Sequence, residues 1–241
     1  MILLDPDASL VIGHRGASGD YPENTVLAFE RAVEQGADAL ELDVRLTRDG
    51  AVVVIHDATL DRSTDGEGPV RDRTLSELRA LDAGAGQPVP TLDEVLERFG
   101  DTPLILELKE SEVADAARRC LVRHRAMDRV LVGSFEAGAL RPFGKPTSHR
   151  AASRRETALA WALSRVGLPL PGSCEAFTVP ERHGAVRVVD GRFVAAARRA
   201  GRPVHAWTVN DVEQARRLRA VGVCGIITNY PARMRALGPA A

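Results

Sequence analysis

Ala39–Asp57 reads ALELDVRLTRDGAVVVIHD. Two apolar runs of β type, Ala39–Leu46 and Ala51–Ile55, flank a turn at Arg48-Asp49-Gly50. In a strand, residues two apart share a face. Glu41 and Asp43 therefore point one way, and Leu40, Leu42 and Val44 point the other. Two carboxylates side by side in an apolar strand repel each other and are costly to bury. A divalent cation is the obvious compensation. The second run ends in His56-Asp57, where a strand hands over to a loop.

The segments on either side repeat one theme. Leu10–Gly13 is a short apolar run ending in His14-Arg15-Gly16, read as a buried strand and a loop. Asn24 or Thr25 caps a helix running to about Gln35, with Val26, Phe29, Ala32 and Val33 as its apolar stripe and Gly36 closing it. Residues 58–90 differ in texture, being polar and glycine-rich around a short helix over Leu75–Leu81. About thirty residues with little regular structure inside a compact domain point to a purpose. They are read as an insertion near the site, a lid or cap. Thr91-Leu-Asp-Glu94 is a capping box for a helix over Leu92–Phe99. Leu104–Leu108 is a further strand, carrying Glu107 and followed by Lys109.

Beyond it the spacing predicts a helix over about Glu112–His124, a strand Val130–Gly133 ending in Ser134-Phe135, and a helix near Ala137–Leu140. Lys145–Pro171 is the least regular part, with a helix over Glu156–Val166. Strands follow at Ala176–Val179, Val204–Val209 and Gly225–Thr228. Helices Gly191–Ala200 and Asp211–Val221 lie between them. Roughly eight apolar β runs alternating with short helices define a parallel α/β fold. Polar residues sit in or just after strands one, two, three, four, five and eight. A closed barrel collects site residues from many strand ends in this way. An open sheet concentrates them at one switch point behind a glycine-rich phosphate loop, and no GxGxxG or GxxxxGK[ST] occurs. The whole chain, 1–241, is read as one such barrel domain with the insertion at about 58–90, between strand three and the following barrel helix.

Composition removes several classes of function. A net charge of −1 gives no basic footprint for nucleic acid. No apolar run approaches the roughly 18 residues of a membrane span, and MILLDPDASLVIGHRG has no basic n-region and enters a strand directly. Cys120, Cys174 and Cys224 are odd in number and lack metal-ligand spacing, which fits buried, inert thiols in a reducing compartment. A cytoplasmic location is expected. Lysine occurs only at Lys109 and Lys145; the arginine pairs along the chain read as solvated helix faces. The oligomeric state is open.

Glu41, Asp43 and Glu107 are three carboxylates on two strands. One alone would pair with a buried arginine; three make a hard oxygen site suited to Mg²⁺ or Ca²⁺ rather than zinc. His14 and His56, both at strand ends, fit a general acid and a general base. Arg15 and Lys109 suit a phosphate whose charge rises at the transition state, or else neutralise Glu41, Asp43 or Glu23. Trp207 is either a core residue or a substrate-facing wall. His124, His149, His183 and His205 are left as structural or solvated.

Gly13-His-Arg-Gly-Ala17 followed by Pro22-Glu-Asn-Thr25 resembles the signature of the glycerophosphodiester phosphodiesterases. The likeness continues through Glu41-Leu-Asp-Val44, Thr47-Arg-Asp-Gly50, His56-Asp57 and Leu60-Asp-Arg-Ser-Thr64. It extends to Pro90-Thr-Leu92, Glu107-Leu-Lys109, Ser134-Phe135 and Trp207-Thr-Val-Asn210, and is weak from about 145 to 189. The resemblance implies a TIM (β/α)8 barrel that hydrolyses glycerophosphodiesters to sn-glycerol 3-phosphate and an alcohol. It implies Glu41, Asp43 and Glu107 as ligands of one divalent ion, and His14 and His56 as the acid–base pair. Arg15 and Lys109 would hold the phosphate of a small-molecule diester, Trp207 and Phe135 would line the pocket, and 58–90 would read the glycerol end. One departure is the last strand, Gly222-Val-Cys-Gly-Ile-Ile-Thr-Asn229, with Cys224 and Asn229 where relatives carry aspartates. Neither position is expected to touch the chemistry. A barrel acting on lysophospholipids and a non-catalytic phosphodiester-binding barrel are the competing readings.

Overall fold

The computed structural model describes residues 1–144, 146–172 and 174–238; Lys145, which opens the irregular segment, lies outside them. The chain begins with a 3-10 turn, Ile2–Leu4, rather than entering a strand directly. It then runs β1 (Leu10–His14), α1 (Val26–Glu34), β2 (Ala39–Leu46), β3 (Val52–Val54), α2 (Leu75–Arg79) and α3 (Leu92–Arg98). β4 (Leu104–Leu108), α4 (Ala114–Arg123), β5 (Val130–Gly133), β6 (His149–Arg150) and α5 (Arg154–Arg165) follow. β7 (Phe177–Pro180) leads into the hairpin β8 (Arg182–His183) and β9 (Val186–Arg187), then α6 (Gly191–Arg199). β10 (Val204–Trp207), α7 (Val212–Ala220), β11 (Gly225–Thr228) and α8 (Pro231–Arg235) complete the described chain.

Eight strands pair in parallel in the order β6-β5-β4-β2-β1-β11-β10-β7. A parallel bridge between Ala151 and Ala176, one residue from β6 and β7, joins the two ends of this path. The expected barrel is therefore present, but one of its strands is not the expected one. The Ala51–Ile55 run forms β3, which turns back antiparallel on β2 and stands outside the ring. Arg48-Asp49-Gly50 is a tight turn, and a chain reversed that sharply can only pair antiparallel. The eighth barrel strand is instead β6, whose two residues carry no apolar run.

The alternation that puts Glu41 and Asp43 on one face operates around the whole ring. Leu40 and Leu42 of β2, Leu104 and Leu106 of β4 and Val130 and Val132 of β5 face outward, packing with Phe29, Leu96 and Leu121 from the helices. Inside, Leu10, Ile12, Ala39, Ile105, Leu131 and Ile227 fill the lower layer, with Leu3 buried among them. The imidazole Nε2 of His205 meets the Leu3 carbonyl at 2.9 Å, tying the 3-10 turn to that layer. Gly225 is required beside it, since a Cβ there would lie 2.3 Å from His205 Nδ1.

The caps read from the sequence at Thr25 and Thr91 are present. Thr25 caps α1, and Thr74 and Thr91 form capping boxes with Glu77 and Glu94. The buried stripe of α1 is Ala28, Phe29 and Ala32, while Val33 is 40% exposed. No helix forms over Ala137–Leu140, which is a run of turns. Residues 58–90 follow β3 and precede α3, and close over a small core of their own, Leu60, Val70, Leu78 and Val89 against Val53 and Ile55. Among the described residues no helix is long and apolar enough to cross a membrane. All three cysteines are buried and unpaired.

Candidate functional site

The upper layer of the barrel interior is polar because three strands reverse their inward chemistry at the C-terminal end. In register, His14 of β1 lies beside Glu41 of β2, and Asp43 of β2 beside Glu107 of β4. Glu41, Asp43 and Glu107 present carboxylate oxygens all within 4.8 Å of one another. Burial, and then the charges of Asp43 and Glu107, push the Glu41 carboxyl well above the usual range. Burial likewise raises Glu107 against the pull of Lys109. Three hard oxygen donors at such spacing, buried and mutually repelling, fit a divalent cation.

The two cations sit against the central carboxylate. Arg15 Nε lies 3.0 Å from Asp43 Oδ2, and Lys109 Nζ lies 3.3 Å from Asp43 Oδ1 and 2.8 Å from Glu107 Oε1. Burial alone would lower the Lys109 ammonium, but Asp43 and Glu107 more than offset it, so its pKa is raised. Arg15 also donates from Nη1 to Glu23 at 3.0 Å and from its backbone N–H to Glu41 Oε2 at 3.0 Å. That N–H is aimed by a left-handed turn, with Arg15 at φ 55° and Gly16 at φ 83°. A Cβ on Gly16 would lie 2.5 Å from the Ala28 backbone, so only glycine lets α1 pack on the turn.

The histidines are held by different partners. His14 Nδ1–H donates to Asn229 Oδ1 at 2.6 Å, and its Nε2 faces Glu41 at 4.0 Å. Burial, then the charge of Arg15, lowers the His14 pKa below its ordinary value. His56 Nδ1 pairs with the Asp57 carboxylate at 2.5 Å. Arg62, from the 58–90 segment, donates from Nε to Asp57 at 2.5 Å and from both terminal nitrogens to Glu23 at 2.7 Å. Arg62 and His56 together hold Asp57 far below the usual carboxylate range.

Every residue singled out from the sequence, except Asp43 beneath the cations, lines one cavity of about 620 Å³. His14, Arg15, Glu41, His56, Glu107 and Lys109 form its polar side. Phe135 and Trp207 meet edge to face at 5.9 Å on its wall. Trp207 is thus a cavity-facing residue that also packs on the lower apolar layer.

The full-length pattern matches the glycerophosphoryl diester phosphodiesterase family over residues 14–233. The chain belongs to this family. Glycerophosphodiester phosphodiesterases resembling it include one from Caldanaerobacter subterraneus, 37% identical over 92% of this chain and 95% of the relative. One from Bacillus subtilis is 31% identical over 95% and 86%. The fold superposes on an Oleispira antarctica phosphodiesterase in complex with the product sn-glycerol-3-phosphate, with a TM-score of 0.81 and 30% identity, covering 95% of this chain and 96% of that one. A glycerophosphodiester phosphodiesterase from Thermotoga maritima superposes with a TM-score of 0.76 and 29% identity, over 95% and 98%.

Three residues not named from the sequence as candidate site residues meet the site in the structure. Asn24, a cap candidate, leaves capping to Thr25; at φ 58° it turns its amide under the site and donates to Asp43 Oδ2 at 3.0 Å. Arg62 binds through the charge network just described. Asn229, expected to be remote from the chemistry, instead touches the His14 ring. Asn229 comes to His14 only because the strand before it pairs with β1, a long-range pairing. His183, left as solvated, lies on the cavity rim within 3.1 Å of Arg154. His205 stays structural, its pKa lowered by burial to about 4.

Proposed function

We propose that this protein hydrolyses glycerophosphodiesters, releasing sn-glycerol 3-phosphate and an alcohol, and that it needs Mg²⁺ or Ca²⁺ to do so. The reading is carried by one observation: two histidines with separately held rings flank three carboxylates and two cations around a single cavity. The sn-glycerol-3-phosphate complex of the Oleispira relative supports the same product for this chain.

In this reading Glu41, Asp43 and Glu107 hold the divalent ion, which when bound withdraws charge from the phosphate oxygens. Arg15 and Lys109 take the remaining phosphate charge. One of His14 and His56 accepts the proton of the attacking oxygen, and the other donates a proton to the departing alkoxide oxygen. Asn229 and Asp57 keep the two rings facing the cavity. Phe135 and Trp207 wall the substrate, and residues 58–90 act as the cap over the glycerol end, coupled to His56 through Arg62 and Asp57. The unpaired cysteines support a cytoplasmic setting.

The test is a panel of glycerophosphodiesters with and without Mg²⁺ and Ca²⁺, following glycerol 3-phosphate and any cyclic phosphate. His14→Ala and His56→Ala should each lower turnover by about 10²–10⁴ with the fold intact. Hydrolysis of glycerophosphocholine at wild-type rate by either variant, or full activity after exhaustive chelation, defeats the corresponding part of the proposal.

A further inference from the structure

The carboxylates, His14, His56, Arg15 and Lys109 occupy one side of the cavity. The opposite side is a pouch formed by Ala158 and Trp161 of α5, Val179 and Pro180 of β7, and Val186 and Val188 of the β8–β9 hairpin and its exit. The Trp161 indole N–H is spent on the Arg187 carbonyl at 3.1 Å, so the ring presents carbon to the pouch and also pins the hairpin to α5. Cavities of this size bury most of a drug-sized ligand, which is more than glycerophosphate with a two-carbon alcohol needs. Phe135 and Val186 stand 54% and 45% exposed, large apolar groups left in water unless a ligand covers them.

A small cationic alcohol finds little to bind there. Among the described residues lining the cavity, the only carboxylates are Glu41 and Glu107, both committed to the centre. The charged groups on the pouch side are Arg154 and His183, a basic pair at the rim. Of the aromatic rings on the cavity, Phe135 already meets Lys109 at 5.9 Å and Trp161 meets Arg165 at 4.2 Å, which leaves Trp207 alone, one ring rather than a cage for a quaternary ammonium. What remains is apolar surface contiguous with the phosphate site. We infer that this pouch takes a hydrocarbon chain joined to the phosphodiester, so that amphipathic diesters are preferred over those of small polar alcohols. The inference rests on the phosphodiesterase reading and adds its substrate class.

The experiment uses two substrate series below their micelle-forming concentrations, with glycerophosphocholine as reference. In one, glycerophospho-n-alkanols of increasing length carry the chain on the leaving alcohol. In the other, 1-acyl-glycerophosphocholines carry it on the glycerol. Burying each added methylene should raise kcat/KM by roughly three- to fourfold until the pouch is full. A rise in either series supports the inference and tells which side of the phosphate bears the chain. Val186→Asp, at an exposed hairpin position, should lower the long-chain to glycerophosphocholine ratio at least about tenfold. Ala158→Trp should shorten the longest chain accepted. Flat dependence in both series, with glycerophosphocholine still turned over, overturns the inference and leaves the phosphodiesterase reading standing. Failure to cleave any diester in the presence of either cation removes both.

Discussion

Asn229→Ala is the sharpest probe of how this site is held. The side-chain oxygen accepts from His14 Nδ1 at 2.6 Å and does not itself line the cavity. Removing it leaves a partly buried ring N–H without an acceptor and frees the ring to turn. A lost buried hydrogen bond costs about 1–3 kcal/mol, equivalent to roughly 5–150-fold. The ceiling is the whole contribution of an acid–base group, about 10²–10⁴. Turnover should therefore fall by about 10–100-fold while KM moves by less than about threefold. The same bond raises the His14 pKa, which burial and Arg15 lower. Its loss shifts the His14 limb of the pH–rate profile to lower pH. Asn229→Asp keeps an acceptor and adds a negative charge beside the ring, so that limb moves to higher pH with most turnover retained. Steady-state kinetics of glycerol 3-phosphate release over pH 4 to 9 measure both. An alanine variant within about twofold of wild-type turnover and with an unmoved profile refutes a positioning role.

Three further outcomes test the rest of the site. Glu41→Gln removes a buried, repelled carboxylate, so the cation-free protein should melt higher, while the melting shift on adding Ca²⁺ or Mg²⁺ should shrink; scanning calorimetry reads both. Arg62→Ala breaks an exposed tie worth little to stability, yet amide exchange in 58–90 should quicken and KM should rise, because Glu23 and Asp57 lose their common partner. His205 has a folded pKa of about 4, below the ordinary 6.5, so its share of stability is full above pH 6.5 and is lost as pH falls towards 4. That gap corresponds to about 3 kcal/mol, and urea unfolding of wild type should show the loss between pH 7 and 4 while His205→Gln shows much less of it.

The barrel and the centre of the site were readable because strand alternation turns a local pattern into geometry. Glu41, Asp43 and Glu107 had to share the interior once β2 and β4 were neighbours, and the apolar runs identify both strands. β6 was not readable, since two residues, His149 and Arg150, are too short to show a period. The Ala51–Ile55 run was taken for a barrel strand because a buried hairpin strand and a buried parallel strand have the same composition. Asn24, Arg62 and Asn229 act across 19 to 215 residues of sequence, through hydrogen bonds that no local pattern encodes. The pouch escaped for a related reason: α5, β7 and the hairpin each carry an ordinary apolar face, and only their convergence makes a cavity.

The uneven ring has a consequence for how such an enzyme diversifies. Its arc around β1, β2 and β4 is stitched along five- and eight-residue strands, and this arc bears the carboxylates and His14. Its seam at β6 and β7 rests on a two-residue strand and one bridge, and the pouch takes its walls from β7 and from α5, which follows β6. Sequence drift at the seam can reshape what the protein grips without loosening what reacts. The molecule therefore keeps its charged centre and its apolar pouch on separate stretches of one closed wall.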